Sequence, residues 1–529
     1  MKIALVSMYV SVDVLGPRYI SSYLKRAGHD VRLIFLTGRR GKHGKKGYSP
    51  QVLGELVDLL DDVDLVGVSL MTNTFRRATE ITRAIRQARG DLPIVWGGVH
   101  PTVAPETCTQ HVDMFCIGEG EKPMLELADR LRDGRDPADI PGIATARDGK
   151  LVGASVWPLA DDLDTYPFPD FDLEQQYVLH DGHLVPARPK LMRDSLKRYR
   201  LLSTRGCPFQ CAFCNNSTIQ KLYQGNGQWV RKRSVENVVA ELETVVARFD
   251  SIRAVKIVDD LFFVRNEEEM QHFCDVYSQR VGLPFEVDAH PATMSRGKID
   301  ALVGAGLYRV NMGIQSGSDK TNFDIFNRPT SRQKVAAAID ILADYPHVQA
   351  EYHYIVANPF EPAEQMIETL YFAAEHHRGY FKVDIFPLAF FPGSPLHQRA
   401  IREGIINGDQ EELYSEVWRQ SQTWRALGDY LVVLLTMVLR LKRWGLSARA
   451  TKRFVSIALS RPVRAVFDRF YLPVLLVIGY VAMRLVRNLI YQPFIRPFTK
   501  RRRPERRARA ARSPVRDTAP AESTAGGAS

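Results

Sequence analysis

Up to Leu131 the chain alternates short apolar runs with stretches whose apolar residues recur every three or four positions. The runs are Lys2 to Val6, Val31 to Leu36, Leu65 to Leu70, Ile94 to Trp96 and Met114 to Ile117. The periodic stretches are Leu15 to Ala27, Gln51 to Leu60, Phe75 to Arg89 and Pro123 to Leu131. Short continuous runs read as buried strands and the longer periodic stretches as amphipathic helices. Their alternation predicts an α/β domain over residues 1–144, a doubly wound Rossmann-like parallel sheet whose ligands bind at the carboxyl ends of the strands. Those ends carry Ser11 to Gly16, Ser69 to Asn73, Gly97 to Thr102 and Gly118 to Glu121. Glycine lets a flat ligand approach the backbone, and the lack of a GxGxxG after the first strand disfavours a dinucleotide. A plainer reading of the same loops is ordinary turns of an α/β domain.

Residues 145–200 lose this periodicity. Asp161, Asp162, Asp164 and the aromatic, proline-rich TYPFPDFDL read as a linker packed along two domains. From 201 to 404 the alternation returns, with runs at Ala254 to Val258, Phe285 to Val287, Arg309 to Met312, Tyr352 to Ala357 and Val383 to Leu388. Each run is followed by a polar or glycine-containing loop: Asp259-Asp260, DAHPATM, GIQSGSD (Gly313 to Asp319), NPFEP and AFFPGSPL (Ala389 to Leu396). This pattern predicts a partial (β/α) barrel with its active site at the same loops.

The barrel opens on Leu201 to Asn216, LLSTRGCPFQCAFCNN, which places Cys207, Cys211 and Cys214 in a C-x3-C-x2-C spacing. An apolar pair ended by Gly206 and Pro208 predicts a strand running into a tight loop that gathers three thiolates. Three thiolates suit a soft metal centre, and an iron–sulfur cluster so held keeps one iron open to an outside ligand. A structural zinc wants a fourth ligand, and the next candidates are His183, His272 and Cys274. An odd thiol count without a secretory signal weighs against a disulfide. Cys108, Cys116 and Cys274 show no ligand spacing and read as small buried hydrophobes.

With 529 residues, 45% of them hydrophobic, the chain suits two or three globular domains. Its start, MKIALVSMYV, is too short for a secretory core and reads as a strand, which places the body in the cytoplasm, where thiols and clusters survive. The net charge of +11 is uneven: residues 440–516 hold 21 of the 71 Lys/Arg and only Asp468 and Glu505, so the remainder is net acidic. Tyr430 to Leu439 and Phe470 to Met483 are apolar but shorter than the ~20 residues a membrane span needs. Beside so many cations they predict interfacial helices in the 405–499 region, lying on an anionic membrane surface. The tail 500–529 begins with a polybasic anchor, KRRRPERRARAAR (Lys500 to Arg512). From Ser513 the composition predicts disorder. A soluble helical cap with a solvated tail is the plainer reading; nucleic-acid binding is a further one, disfavoured because apolar and basic features sit together.

The triad, with Phe213 just before its last cysteine, resembles the signature of the radical S-adenosylmethionine (SAM) superfamily. GGVHPT at Gly97 to Thr102, GEGE at Gly118 to Glu121 and IPGIA at Ile140 to Ala144 resemble the cobalamin-binding domain that precedes many of its members. The resemblance runs from about residue 1 to Gly404. It implies a 4Fe-4S cluster on Cys207, Cys211 and Cys214 whose open iron chelates SAM. Reduction by a reductase or flavodoxin-type donor then yields a radical that abstracts hydrogen from unactivated carbon. It carries SAM contacts onto Phe213, Asp260, Gln315, Ser316 and Asn358. Where the family usually writes GIESG, GLPGE and PGTPL, this chain has GIQSG, NPFEP and PGSPL, so Gln315 keeps hydrogen bonding without the charge. Asp259 and Asp260 have a second reading as caps of a helix starting near Asn266. Cobalamin is laid over Asp13, Gly16, Ser69, Gly97, Gly98, His100, Gly118, Glu119 and Gly120. Related base-off enzymes carry DxHxxG in the first loop, whereas SVDVLG puts Asp13 in place of the histidine, and His100 reads as a loop cap. The implied function is a cobalamin-dependent radical SAM enzyme, first of all C-methylation of a lipid-like or natural-product substrate. The alternatives are radical oxidation, cyclisation or rearrangement, and a metal-binding membrane or nucleic-acid scaffold without catalysis.

Overall fold

The computed structural model describes residues 1–9, 11–37, 47–193, 195–406 and 426–469. Two large sheets organise it. The first contains β1 (Lys2–Ser7), β2 (Asp30–Phe35), β3 (Leu65–Ser69), β4 (Ile94–Gly97), β5 (Met114–Cys116), β6 (Ile143–Arg147), β7 (Lys150–Val152), β8 (Gln176–His180) and β9 (His183–Pro186). Their order is β7-β6-β5-β4-β3-β1-β2-β8-β9. The centre, β1 to β5, is parallel, with Ile3 opposite both Val31 and Leu65, while β6, β7 and β9 join antiparallel at the edges. Helices on both faces bury the central strands, which is why they read as continuous apolar runs.

The stretch expected as a linker supplies β7, β8 and β9, and β8 pairs with β2 in parallel. Its order comes from a distant partner. Arg18, wholly buried, donates to Gln176 Oε1 at 3.0 Å and to the Val12 carbonyl, and its guanidinium lies 4.1 Å from the Phe171 ring centre.

The second sheet holds β10 (Arg198–Leu201), β13 (Ala254–Ile257), β14 (Phe285–Ala289), β15 (Leu307–Gln315), β16 (Gln349–Val356) and β17 (Phe381–Pro387), in that order and all parallel. Between the first two in sequence lies a small antiparallel ribbon of β11 (Thr204–Arg205) and β12 (Arg231–Lys232). Helices cover the outer face of this open barrel. On β16 the buried Tyr352 and Tyr354 point outward, whereas Glu351, His353 and Ile355 alternate with them toward the interior. The Glu267–Arg280 helix is capped by Asn266, whose side chain accepts from the Glu269 N–H while Glu269 returns the bond. The capping role considered for Asp259 and Asp260 is therefore filled by another residue.

The expected interfacial helix over Tyr430 to Leu439 is instead core. Within the Ala426–Arg443 helix, Tyr430, Leu431, Leu434, Leu435, Val438 and Leu439 form one buried stripe packed on the Ala363–His376 helix of the barrel. The apolar face thus meets protein. Among the described residues no helix is long and apolar enough to cross a membrane. Phe470 to Met483, Lys500 to Arg512 and the tail from Ser513 lie outside the described residues.

Candidate functional site

At the carboxyl edge of the first sheet lies an apolar cavity of about 230 Å³. Gly16, Ser69, Gly97, Gly98, Gly118, Glu119 and Gly120 line it, as do Leu202 and Arg205 from the barrel side. Gly98 has φ +101°, and a Cβ there would meet the Leu70 carbonyl oxygen at 2.6 Å. A Cβ on Gly120 would stand 2.8 Å from Cδ1 of Ile20, which also lines the cavity. The glycines thus let these loops pack closely and present backbone at the cavity's edge, as a flat ligand requires.

Asp13 and His100 do not line this cavity. His100 is buried, with Nδ1 3.2 Å from Thr72 Oγ1, Nε2 3.0 Å from Thr107 Oγ1 and its ring against Phe75. Burial pulls its imidazole down to about 4. The side chain fastens the loop from within.

The cysteine loop is pinned by several elements. Trp229 Nε1 donates to the Cys207 carbonyl at 2.8 Å, Asn327 Nδ2 to the Gln210 carbonyl at 2.9 Å, and the Ala212 N–H to the Phe326 carbonyl at 2.8 Å. Phe209 stacks on His290 at the end of β14 with 4.0 Å between ring centres. Burial pushes the Cys207 thiol up to about 11 and Cys214 up to about 12, so these sulfurs hold protons until a metal replaces them. Arg328 supplies the matching cation: it is buried, with Nη1 3.8 Å from Cys211 Sγ and Nη2 donating to the Gly313 carbonyl at 2.6 Å. Burial lowers its pKa while the sulfurs of the triad act the other way. Three thiolates beside a buried guanidinium fit an iron–sulfur cluster better than a proton-bearing structural site.

The residues carried over for SAM stand along the same edge. Asp260, after β13, accepts the Gly206 N–H at 3.3 Å, and Phe213 meets Phe326 edge-on at 5.1 Å. Gln315 (φ +66°) and Ala357 (φ +55°) are left-handed, and the β15–β16 register shifts between Gly313 and Gln315. Non-glycine residues in that region cost about 1–3 kcal/mol each and cluster at functional sites. Ser316 is buried, its hydroxyl committed to Glu361 Oε1 (3.2 Å) and Thr369 Oγ1 (3.0 Å). Asn358 is buried with its Nδ2 unpartnered. Asp259 faces elsewhere, accepting from the Ser203 N–H at 2.6 Å and its hydroxyl at 2.5 Å.

Sequence reasoning missed the network joining the two sheets. Arg205 pairs with Glu119 at 3.0 Å and Glu121 at 2.6 Å, and Arg231 pairs with Glu119. Tyr223 accepts the Glu119 N–H at 2.6 Å. No spacing marks these partners, which are 84 to 112 residues apart; only the position of Arg205, two residues before Cys207, hints at the site.

A B12 binding domain model matches residues 1–128, and a radical SAM superfamily model matches residues 201–373. The chain is 24% identical over 486 residues to an uncharacterized methyltransferase of Pyrococcus horikoshii, covering 90% of this chain and 93% of that protein. It is 27% identical to the anaerobic magnesium-protoporphyrin IX monomethyl ester cyclase of Rubrivivax gelatinosus, over 66% of this chain and 60% of the cyclase. Its fold resembles that of a radical SAM methyltransferase from Kitasatospora setae solved with cobalamin and a [4Fe-4S] cluster. The TM-score is 0.59 at 18% identity, over 76% of this chain and 78% of that one.

Proposed function

As a member of the radical SAM superfamily with a B12 binding domain at its front, the protein is, we propose, an enzyme that methylates an unactivated carbon of a small molecule. The observation that carries this reading is the shared wall: Leu202 and Arg205, just ahead of the cysteine loop, close the glycine-lined cavity of the first sheet. On this reading Cys207, Cys211 and Cys214 hold the cluster, and Phe213, Asp260, Gln315, Ser316 and Asn358 surround SAM. The loops at Gly16, Ser69, Gly97, Gly98 and Gly118 to Gly120 seat the corrinoid, with Asp13 and His100 outside the contact set. Bound there, SAM on the cluster supplies a hydrogen-abstracting radical and the corrinoid supplies the methyl group. Arg328 balances the charge of the triad, and the left-handed Gln315 and Ala357 fix the two strand ends that face it. The first loop offers the cobalt no imidazole.

A division into a front domain to residue 144, a connecting stretch to 200 and a barrel to 404 remains part of this reading, although β6 and β10 straddle its boundaries and β7, β8 and β9 of the connecting stretch extend the first sheet. Such thiols call for a reducing compartment, hence the cytoplasm, and for a protein electron donor. Attachment to an anionic membrane loses Tyr430 to Leu439, which is engaged in packing, and rests on the cations of residues 440–516 and the apolar run Phe470 to Met483. A lipid-like substrate loses that support. The non-catalytic scaffold is set aside, since the proteins this chain matches carry the names of enzymes.

The cyclase similarity supports a second reading, radical oxidation or cyclisation on the same residues. Anaerobic turnover with methyl-labelled SAM separates the two. Methylation yields S-adenosylhomocysteine and 5′-deoxyadenosine in step with labelled product; 5′-deoxyadenosine without S-adenosylhomocysteine shifts the assignment to cyclisation. Replacing all three cysteines by Ala abolishes cluster iron and both products, and any 5′-deoxyadenosine from that variant refutes the cluster assignment.

A further inference from the structure

The inner wall of the barrel is charged in layers, and lysine and arginine pair with a carboxylate only in the lower one. There Glu286, 1% exposed, is matched by Arg198 (3.3 Å), Lys256 (3.6 Å) and Arg309 (3.4 Å) and accepts the Tyr308 hydroxyl. One step nearer the carboxyl edge, Asp288, Asn311 and Glu351 stand opposite one another on β14, β15 and β16. A further step brings Gly313, His353 and Asp384 into register on β15, β16 and β17. Gly313 is the residue whose carbonyl Arg328 holds, so this upper wall stands beside the cysteine loop.

Potential ligand atoms of Glu351, His353 and Asp384 all lie within 4.8 Å of one another. Among the described residues, no lysine or arginine pairs with Asp288, Glu351 or Asp384, although Lys382 stands opposite Glu351 and His353 Nε2 lies 3.6 Å from Glu351 Oε1. Within these upper layers three carboxylates still outnumber Lys382 and His353. A second observation points to a ligand. Asn311 is 8% exposed and turned inward between the outward-facing Val310 and Met312; it donates Nδ2 to Asp288 Oδ1 at 2.7 Å and leaves its Oδ1 buried without a donor. Half-buried Asp288 and Glu351 without a lysine or arginine, the exposed Asp384 beside them and a buried carbonyl without a donor suit the same partner, a group rich in N–H.

We propose that Asp288, Asn311, Glu351, His353 and Asp384 receive a protonated amine of the substrate. This rests on the methylation reading and narrows it to amine-bearing small molecules. The alkylammonium holds the target carbon at the barrel mouth, facing the cysteine loop, and takes no part in bond making.

The test uses the full-length holoenzyme, methyl-labelled SAM and a small-molecule extract of cells lacking the gene, split by ion exchange at neutral pH. Label is expected in a compound from the cation-exchange-retained fraction. Asp384→Asn and Glu351→Gln, checked for folding by thermal melting, raise its half-saturating concentration about tenfold or more, with a smaller change in limiting rate. Label in the anionic or neutral fraction overturns the amine while leaving methyl transfer standing, and 5′-deoxyadenosine without label in any fraction overturns both. One equivalent of zinc or manganese in the wild type, lost in Asp384→Asn, marks a metal site and also overturns the amine.

Discussion

Replacing Arg205 by Ala tests the join between the two sheets. Burial alone would pull the guanidinium down, but Glu121 and Glu119 outweigh it and hold its pKa well above the usual range. Burial pushes Glu119 up, and Arg205 with Arg231 brings it below its ordinary value. Removing Arg205 leaves Glu119 one cation, Arg231, and leaves Glu121, 5% exposed, with none. Stranding one partner of a buried pair costs about 3–5 kcal/mol, a large share of the ~5–15 kcal/mol that holds a domain folded. Urea unfolding at pH 7.5 should show that loss, and Arg205→Met with Glu121→Gln should recover most of it, since no charge is then stranded. The pH dependence has a definite sign. The lowered Glu119 contributes stability above the unfolded carboxylate pKa of about 4.3 and loses it as pH falls through the folded value. Wild type thereby loses in acid what Arg205→Ala already lacks, so the two converge. A cost below about 1 kcal/mol at pH 7.5, or a cost unchanged at pH 4, refutes the reasoning.

Gly120→Val fills the cradle at ordinary backbone angles, and the variant should fold yet lose cobalamin on gel filtration; absorbance equal to wild type would sink the cradle. Burial raises Glu361 to about 7 against hydrogen bonds from Thr321 and Ser316. The native state therefore keeps a proton the unfolded chain has lost, and wild type should lose about 2 kcal/mol of stability between pH 5 and 8 that Glu361→Gln keeps. Leu435→Ala, at a fully buried position, should cost about 2–5 kcal/mol by denaturation and leave sedimentation with anionic vesicles unchanged. Lost vesicle binding at undiminished stability would restore the interfacial helix.

The central strands were readable because a parallel sheet buried on both faces leaves uninterrupted apolar runs such as Leu65 to Leu70. The cysteine spacing was readable because its chemistry is local. What escaped depends on partners far along the chain. β8 is ordered by Arg18, 158 residues away from Gln176, and five residues with mixed polarity announce no strand by themselves. Tyr430 to Leu439 has the same composition whether it faces lipid or protein; the deciding surface is the Ala363–His376 helix. His100 sits in a glycine loop that does border the cavity, yet Phe75, Thr72 and Thr107 draw its ring inward. Arg328 carries no spacing signal at all.

Tyr223 lies at the end of the Asn216–Leu222 helix that begins two residues after Cys214, and its hydroxyl holds the Glu119 N–H while its ring crowds Gly118. In thermodynamic terms this tie predicts reciprocal seats: if ordering the cysteine loop also orders the glycine loop, each occupant raises the other's affinity by one common factor. Assembly would then be expected to favour fully loaded or fully empty molecules over half-loaded ones. Protein stripped of iron should release cobalamin faster than clustered protein, and Tyr223→Phe should bring the two rates together.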